Sequence, residues 1–324
     1  MNEARSSPVP LTLVVLPGED ARATLESVRE QAAPPLEVFL PDPPAAALGA
    51  VPLRRLPGGG TAAALGAVLA EVRGAWLQVV DAGTRLRPRA CRAAMDQVLA
   101  RPHVGVFLAD SALAAPDGER TLPALDWQAA AGTFTGMELA ELRSHGPGWP
   151  QDAMVLSTAR LRAAGGFPPE LEWHVLWWAT HLLAFRHGAT YLRQVLTVAP
   201  DRERGDPGAR VWSLEYPVLR ALLRRLADPA QADLLAPLAL GGALGAFGHD
   251  LAEVYLSEPE LWREGLSLAL GPCLEAHRNR KPRYLGQEGR TQADRDRDMR
   301  VAAELRAVIA AAANIGGGGG GEAP

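Results

Sequence analysis

Two acids stand where an apolar run gives way to a loop. Asp42 follows Leu36-Glu-Val-Phe-Leu-Pro41, and Asp81 follows Ala75-Trp-Leu-Gln-Val-Val80. Short apolar runs of this kind read as buried strands, and ligands of open α/β sheets collect outside the carboxyl ends of strands. One such Asp is ordinarily a turn or helix cap; two at adjacent strand ends point to a ligand site. Gly58-Gly-Gly-Thr61 opens a helix nearby and invites a phosphate-loop reading. It lacks the Lys of G-x-x-x-x-G-K-[ST] and the frame of G-x-G-x-x-G, so it reads as a flexible turn. Cys91 and Cys273 are far apart and form no C-x-x-C pair, which argues against a metal or redox site and for reduced thiols in a cytoplasmic chain.

The elements that would carry these residues alternate. Leu11–Leu16 reads as a strand stopped by Pro17-Gly18. Asp20 can cap a helix over 21–31, with Leu25 and Val28 inward. Strand 36–40, helix 62–72, strand 75–80, helix 89–100 and strand 104–108 follow. The stretch 109–150 is less regular. Strand 153–156, a helix to Ala164 stopped by Gly165-Gly166, a Trp-rich helix 173–185 and a last strand 190–198 complete the run. Strand–helix alternation predicts an α/β domain with a mostly parallel sheet flanked by helices. From Val211 the pattern is helical only: 214–226, 230–240, 251–255, 260–277 and 291–313. The predicted organisation is an α/β domain over 1–205, a C-terminal all-helical segment over 206–313 and a disordered Gly-rich tail over 314–324.

Composition narrows the function classes. The chain has 324 residues, 48% of them hydrophobic, enough for a sizeable core and against wholesale disorder. Its net charge of −4 denies the global basic field that nucleic-acid binding usually needs, so no nucleic-acid partner is expected. Met1–Pro10 lacks the apolar core of a signal peptide, and no window reaches the uninterrupted length of a membrane span. The nearest case, Leu234 to Phe247, reads as a buried helix or helical hairpin, and peripheral membrane contact stays open. The single Lys, Lys281, among many Arg and Ala suits the codon bias of a GC-rich, bacterial-type genome and carries no mechanism.

From Leu11 to Pro200 the order of pieces resembles a family-2-type glycosyltransferase with the nucleotide-sugar-binding GT-A fold. Leu11-Thr-Leu-Val-Val-Leu16 and the helix ending Ser27-Val-Arg-Glu-Gln31 resemble the family's first strand and helix. Leu36 to Asp42 resembles the second strand, whose acid reads the nucleotide base. Gly74 to Pro88 resembles the strand bearing the Asp-x-Asp motif, Leu161 to Pro168 the segment before the acceptor-side helix, and Tyr191 to Val198 the strand after it. The resemblance implies an inverting transfer of a sugar from a nucleotide diphosphate sugar, the donor, to the hydroxyl of a glycan or glycolipid acceptor. Asp42 would then contact the base and Asp81 the ribose or a divalent metal, Mg²⁺ or Mn²⁺.

The departures qualify that implication. The second acid of Asp-x-Asp is Gly83, and one carboxylate is a poor site for a hard cation. Ala63 and Ala64 stand where the family has an Arg-Asn pair. Its Glu-Asp pair, whose acid deprotonates the acceptor, is replaced by Glu172-Trp173-His174. Either Glu172 or His174 could serve as base, or they are a capping Glu and a surface His. Trp173 and Trp177 share a helix face and read as core or as a sugar-stacking stripe; His181 and His187 have no second ligand at metal spacing and read as structural or exposed. The loop 201–210 matches one that closes over the diphosphate in the family, so Arg202, Arg204 and Arg210 could balance its charge in place of a metal, or belong to a solvated linker. The basic run Arg278–Arg283 reads as a solvated turn, or as a contact to anionic lipid headgroups. The rival function is a catalytically degenerate GT-A domain acting as a binding or scaffolding protein.

Overall fold

The computed structural model describes residues 8–18, 20–44, 49, 51–125, 129–143, 149–200 and 212–279. Packing divides the chain into two compact units, Met1–Leu222 and Leu223–Pro324.

The first unit is built on β1 (Val9–Leu16), in which Leu11, Leu13, Val14 and Val15 are fully buried. No face of it is polar, as a strand covered by helices on both sides requires. Asp20 turns the chain into α1 (Ala21–Arg29), its carboxylate accepting from the Ala23 N–H at 3.3 Å, and Leu25 and Val28 are buried as their spacing predicts. The chain continues through β2 (Pro35–Leu40), β3 (Leu53–Arg55), α2 (Thr61–Glu71) and β4 (Trp76–Asp81). Next come β5 (Arg85–Leu86), α3 (Ala90–Leu99), β6 (Val106–Ala115), β7 (Gly118–Leu122), β8 (Gly132–Phe134) and α4 (Gly136–Arg143). The unit then runs through β9 (Met154–Ser157), α5 (Thr158–Ala163), α6 (Val175–His187), β10 (Ala189–Pro200) and the start of α7 (Trp212–Ala227).

Ten strands among the described residues form one sheet in the order β3-β2-β1-β4-β9-β6-β10-β5, with β7 on β6 and β8 on β10. Strands β1 to β4, β6 and β10 run in one direction, and β5, β7, β8 and β9 run against it. The parallel strands therefore share one carboxyl edge, and β9, being antiparallel, begins at that edge.

The stretch expected to be irregular holds regular structure. Strand β6 continues to Ala115 and returns through β7, paired from Ala115↔Gly118 to Ser111↔Leu122 across a Pro116-Asp117 turn. Small residues along β6 hide the alternation that marks a strand, whereas the turn signal is plain. Away from the carboxyl edge, Glu37 is wholly buried: it accepts from Thr12 Oγ1 at 2.9 Å, the Arg73 N–H at 2.7 Å and Arg73 Nε at 3.1 Å, tying β1, β2 and the approach to β4 together. Arg162 donates to the Leu69 carbonyl at 2.8 and 3.1 Å and to that of Val72 at 3.0 Å, satisfying the last carbonyls of α2.

In the second unit every described element is helical: the end of α7, then α8 (Ala232–Leu240), α9 (Gly248–Ser257), α10 (Glu264–Ala269) and α11 (Gly271–Asn279), joined by short 3₁₀ turns. The helix expected over 260–277 is broken between α10 and α11, where Pro272 has no N–H to continue the ladder and instead fits the first turn of a new helix. The apolar stretch 234–247 is α8 followed by a 3₁₀ turn, with Leu234, Leu238, Ala243 and Leu244 buried. Among the described residues no single helix is long and apolar enough to cross a membrane. The helix expected over 291–313 and the tail 314–324 lie outside the described residues.

Candidate active site

The carboxyl edge of the sheet gathers the acids singled out by sequence. Asp42 follows β2 through Pro41; its side chain is 90% exposed and pairs at 3.6 Å with Arg55, the last residue of β3. Asp81 is the exposed last residue of β4, in register with Leu16 at the end of β1. Expected at the ends of adjacent strands, the two acids are instead one strand apart, because β1 pairs with both β2 and β4 and lies between them.

After Asp81 the chain makes a tight turn, with the Thr84 N–H donating to the Asp81 carbonyl at 3.1 Å and the Gly83 N–H to Thr24 Oγ1 at 3.0 Å. Gly83 sits at φ +91°, a conformation that strains any L-residue with a side chain. The turn itself, and not only the residue, thus disfavours a second acid at 83.

A further carboxylate lies beside Asp81. The antiparallel register Gln78↔Val155 carries Asp152, in the 3₁₀ turn ahead of β9, to the side of Asp81, and the two charges interact. Asp152 Oδ2 accepts from Ser111 Oγ at 2.8 Å, and its own carbonyl accepts from Gln78 Nε2 at 2.7 Å. Burial pushes its carboxyl above the usual range against the hydrogen bonds from Thr197 and Ser111, and the charge of Asp81 adds to the rise. Sequence reasoning missed Asp152 because it ends no apolar run; only the direction of β9 brings it to this edge.

Glu172 and His174 belong to the 3₁₀ segment Pro169–His174, which packs on the start of α2. Glu172 has φ 41° and ψ −117°, one of two positive-φ non-glycine residues among those described. Its carboxylate lies directly against Gly60, filling the space a Cβ at 60 would take. The Gly58–Thr61 turn is therefore not simply a flexible opening of a helix: its last glycine makes room for an acid at the amino end of α2, where the helix dipole favours negative charge. His174 stands at the N-cap position of α6 without a capping hydrogen bond from its side chain, and its Nε2 lies 2.7 Å from Oε1 of Glu215 on α7. Their side chains are 13% and 11% exposed, so neither is a surface residue. Glu215 carries no motif and was unmarked in the sequence.

The tryptophan helix divides. Trp177 and Trp178 are buried, Trp173 partly so. His181, read as structural or exposed, is buried, its ring 4.6 Å from Trp149 and 4.3 Å from Trp177, with Nδ1 2.7 Å from the Trp177 carbonyl. That is core packing. His187 is partly buried beside Arg160 at 3.1 Å. Arg202, Arg204 and Arg210 lie outside the described residues, as does the basic run beyond Asn279; Arg278 pairs with Glu275 at 3.4 Å.

A divalent cation does not fit the described residues well. Asp81 offers one carboxylate, Gly83 none, and Asp152 is engaged by the Ser111 hydroxyl. Among the described residues no three His, Cys, Asp or Glu side chains converge to hold a metal ion.

No family model and no curated protein matches the chain. Solved structures do. The crystal structure of S. aureus TarS 1-349 in complex with UDP-GlcNAc aligns at a TM-score of 0.60 and 13% identity, over 83% of this chain and 89% of that one. TarS 1-349 in complex with UDP aligns at 0.54 and 14%, over the same shares. The crystal structure of S. aureus TarS aligns at 0.54 and 15% identity, over 83% of this chain and 54% of that one. The chain has a GT-A-like fold. In the GT-A-like unit β1 is the central strand between the two acid-bearing strands, and the segment with Glu172 and His174 packs on a helix that starts at the same carboxyl edge.

Proposed function

We propose that the GT-A-like unit binds a nucleoside diphosphate sugar at its carboxyl edge and transfers the sugar, with inversion, to the hydroxyl of a glycan or glycolipid. The observation that carries this reading is the placement of Asp42 and Asp81 on either side of the carboxyl end of β1, in a fold shared with S. aureus TarS, whose structures hold UDP-GlcNAc and UDP. Asp42 would accept from the base and Asp81 from the ribose hydroxyls, since a carboxylate is an acceptor with geometry suited to paired O–H or N–H donors. The Glu172 and His174 segment would face the acceptor. The diphosphate charge would be met mainly by Arg202 and Arg204, because guanidinium forks suit phosphate oxygens and the carboxylate count is low for a cation.

The test is calorimetric titration of the full chain with a panel of nucleoside diphosphates and their sugars. UDP or a related diphosphate should bind, and Asp81→Asn should weaken it by about 1–3 kcal/mol, the worth of a charged hydrogen bond. No binding across the panel, or an unchanged affinity in Asp81→Asn, would overturn the reading. A second reading, a domain that binds the donor without transferring it, is favoured by the Gly83 turn and by the Glu172 carboxylate being turned onto Gly60. Release of UDP from bound donor separates the two.

A further inference from the structure

We propose that Asp152 is a specificity-determining residue that accepts a hydrogen bond from a hydroxyl of the transferred sugar; the proposal rests on the donor-site reading above. A nucleoside diphosphate sugar is a linear ligand: base, ribose, diphosphate, sugar. The acids of the carboxyl edge follow one another in sheet order, Asp42 after β2, Asp81 at the end of β4 and Asp152 ahead of β9, with β1 between the first two. The register Gln78↔Val155, extended three residues along both antiparallel strands, sets Asp152 opposite Asp81. Neighbouring strands lie about 4.8 Å apart. With the base at Asp42 and the ribose at Asp81, Asp152 stands about one strand further along the same line, on the side away from the base.

The side chain is held in place and still has room. Ser111 on β6 and Thr197 on β10 hydrogen-bond to it from two strands, and the Gln78 amide on β4 donates to its carbonyl. The two hydroxyls and its own N–H leave a carboxylate, which accepts about four hydrogen bonds, with capacity for one more. The residue is partly exposed at the edge. Bracing alone does not call for an acid, since an Asn oxygen would accept from Ser111 as well. An acid here faces Asp81, and two like charges side by side oppose each other unless a ligand with donor groups meets them. Sugar hydroxyls are such donors; an ionised diphosphate carries none. A cation would need further ligands, and among the described residues no third His, Cys, Asp or Glu joins the pair. Charged or protonated, the carboxyl keeps an oxygen that accepts from O–H.

The test is calorimetric titration of wild type and Asp152→Asn with UDP, UDP-glucose, UDP-galactose and UDP-GlcNAc, all in EDTA. Asp152→Asn keeps one accepting oxygen for Ser111 and puts an amide where the second oxygen stood. It should leave the Kd of UDP within about twofold and weaken the tightest of the three sugar donors about 10-fold, the worth of a hydrogen bond to a charged group. The preference among the three should narrow, because glucose and galactose differ only in the orientation of one hydroxyl. Ser111→Ala leaves the acid but removes the hydroxyl that holds it. It should weaken the same sugar donor about 2–5-fold and leave UDP alone, which keeps the proposal falsifiable if urea melts show that Asp152→Asn folds poorly. Equal losses for UDP and the sugar donors would put Asp152 at the ribose or in a brace and overturn the proposal while leaving the donor site standing. So would Kd values unchanged for every ligand, or sugar-donor binding that is lost in EDTA and restored by Mn²⁺. No UDP binding by wild type under either condition would overturn the donor-site reading, and the proposal with it.

Discussion

Glu172 holds a φ of 41° that an L-residue adopts at a cost of about 1–3 kcal/mol. Such strain persists only where the surroundings enforce it, and here Leu171 and Val175 on either side are fully buried. Glycine would relieve the strain and alanine would not, while both remove the carboxylate. Glu172→Gly should therefore be more stable than Glu172→Ala by about 1 kcal/mol in chemical denaturation. Equal stabilities would mean that the segment relaxes on its own and that the conformation is not imposed. At this scale the sequence showed acids that end apolar runs, Asp42 and Asp81, and the Glu172–His174 stretch. It did not show Asp152 or Glu215, whose places depend on the direction of β9 and on where α7 returns. Nor did it show that Gly60 and Glu172 meet, since a glycine's reason for being small is the neighbour it admits.

Between residues and the molecule stand the strands that bring these side chains to one edge, and Glu37 is what locks them. Burial would push its carboxyl up, but the Arg73 N–H, the Thr12 hydroxyl and the Arg73 and Arg54 guanidiniums outweigh that and hold it below its ordinary value. A depressed carboxyl contributes stability that is present above its unfolded value, near 4.5, and is lost as pH falls through the lower folded value. Glu37→Gln should cost about 2–4 kcal/mol at neutral pH, as breaking a buried charged cluster does. The gap between wild type and variant should shrink as pH falls below about 4.5. A gap independent of pH in urea melts would show that Glu37 packs rather than pairs. In the first unit β1, β2, β4, β9, β10 and helices α1 to α3 were legible, because β1, β2 and β4 are apolar runs bounded by Pro, Gly or Asp and α1 carries its cap and inner face in sequence, whereas the short strands β3, β5 and β8 and helix α4 were not. The β6–β7 hairpin was not, since Ala109, Ala112, Ala114 and Ala115 mark no face. The break at Pro272 was visible as a residue, yet its effect depends on a helix restarting there rather than kinking.

Over the whole molecule the charge runs the wrong way for a diphosphate. Net charge is −4, and Asp81, Asp152 and Asp42 all stand at the carboxyl edge, with Arg55 offsetting only Asp42. A nucleoside diphosphate would enter against its own sign unless cations meet it. Within this chain the candidates are a bound metal or the arginines that follow β10. The Gly83 turn removes one metal ligand and Asp152 is already engaged, whereas Arg202 and Arg204 come directly after the strand whose partner β6 carries Ser111 of the same edge. Changing both Arg202 and Arg204 to Ala should weaken binding of the diphosphate by about 10–100-fold, or about 1.4–2.8 kcal/mol. EDTA should leave wild-type affinity within about twofold, and added Mn²⁺ should raise it little. The opposite pattern, binding lost to EDTA and untouched by the double change, would mean that Asp81 and Asp152 hold a cation together with the phosphates. The edge acids would then be its ligands and not the obstacle that the arginines overcome.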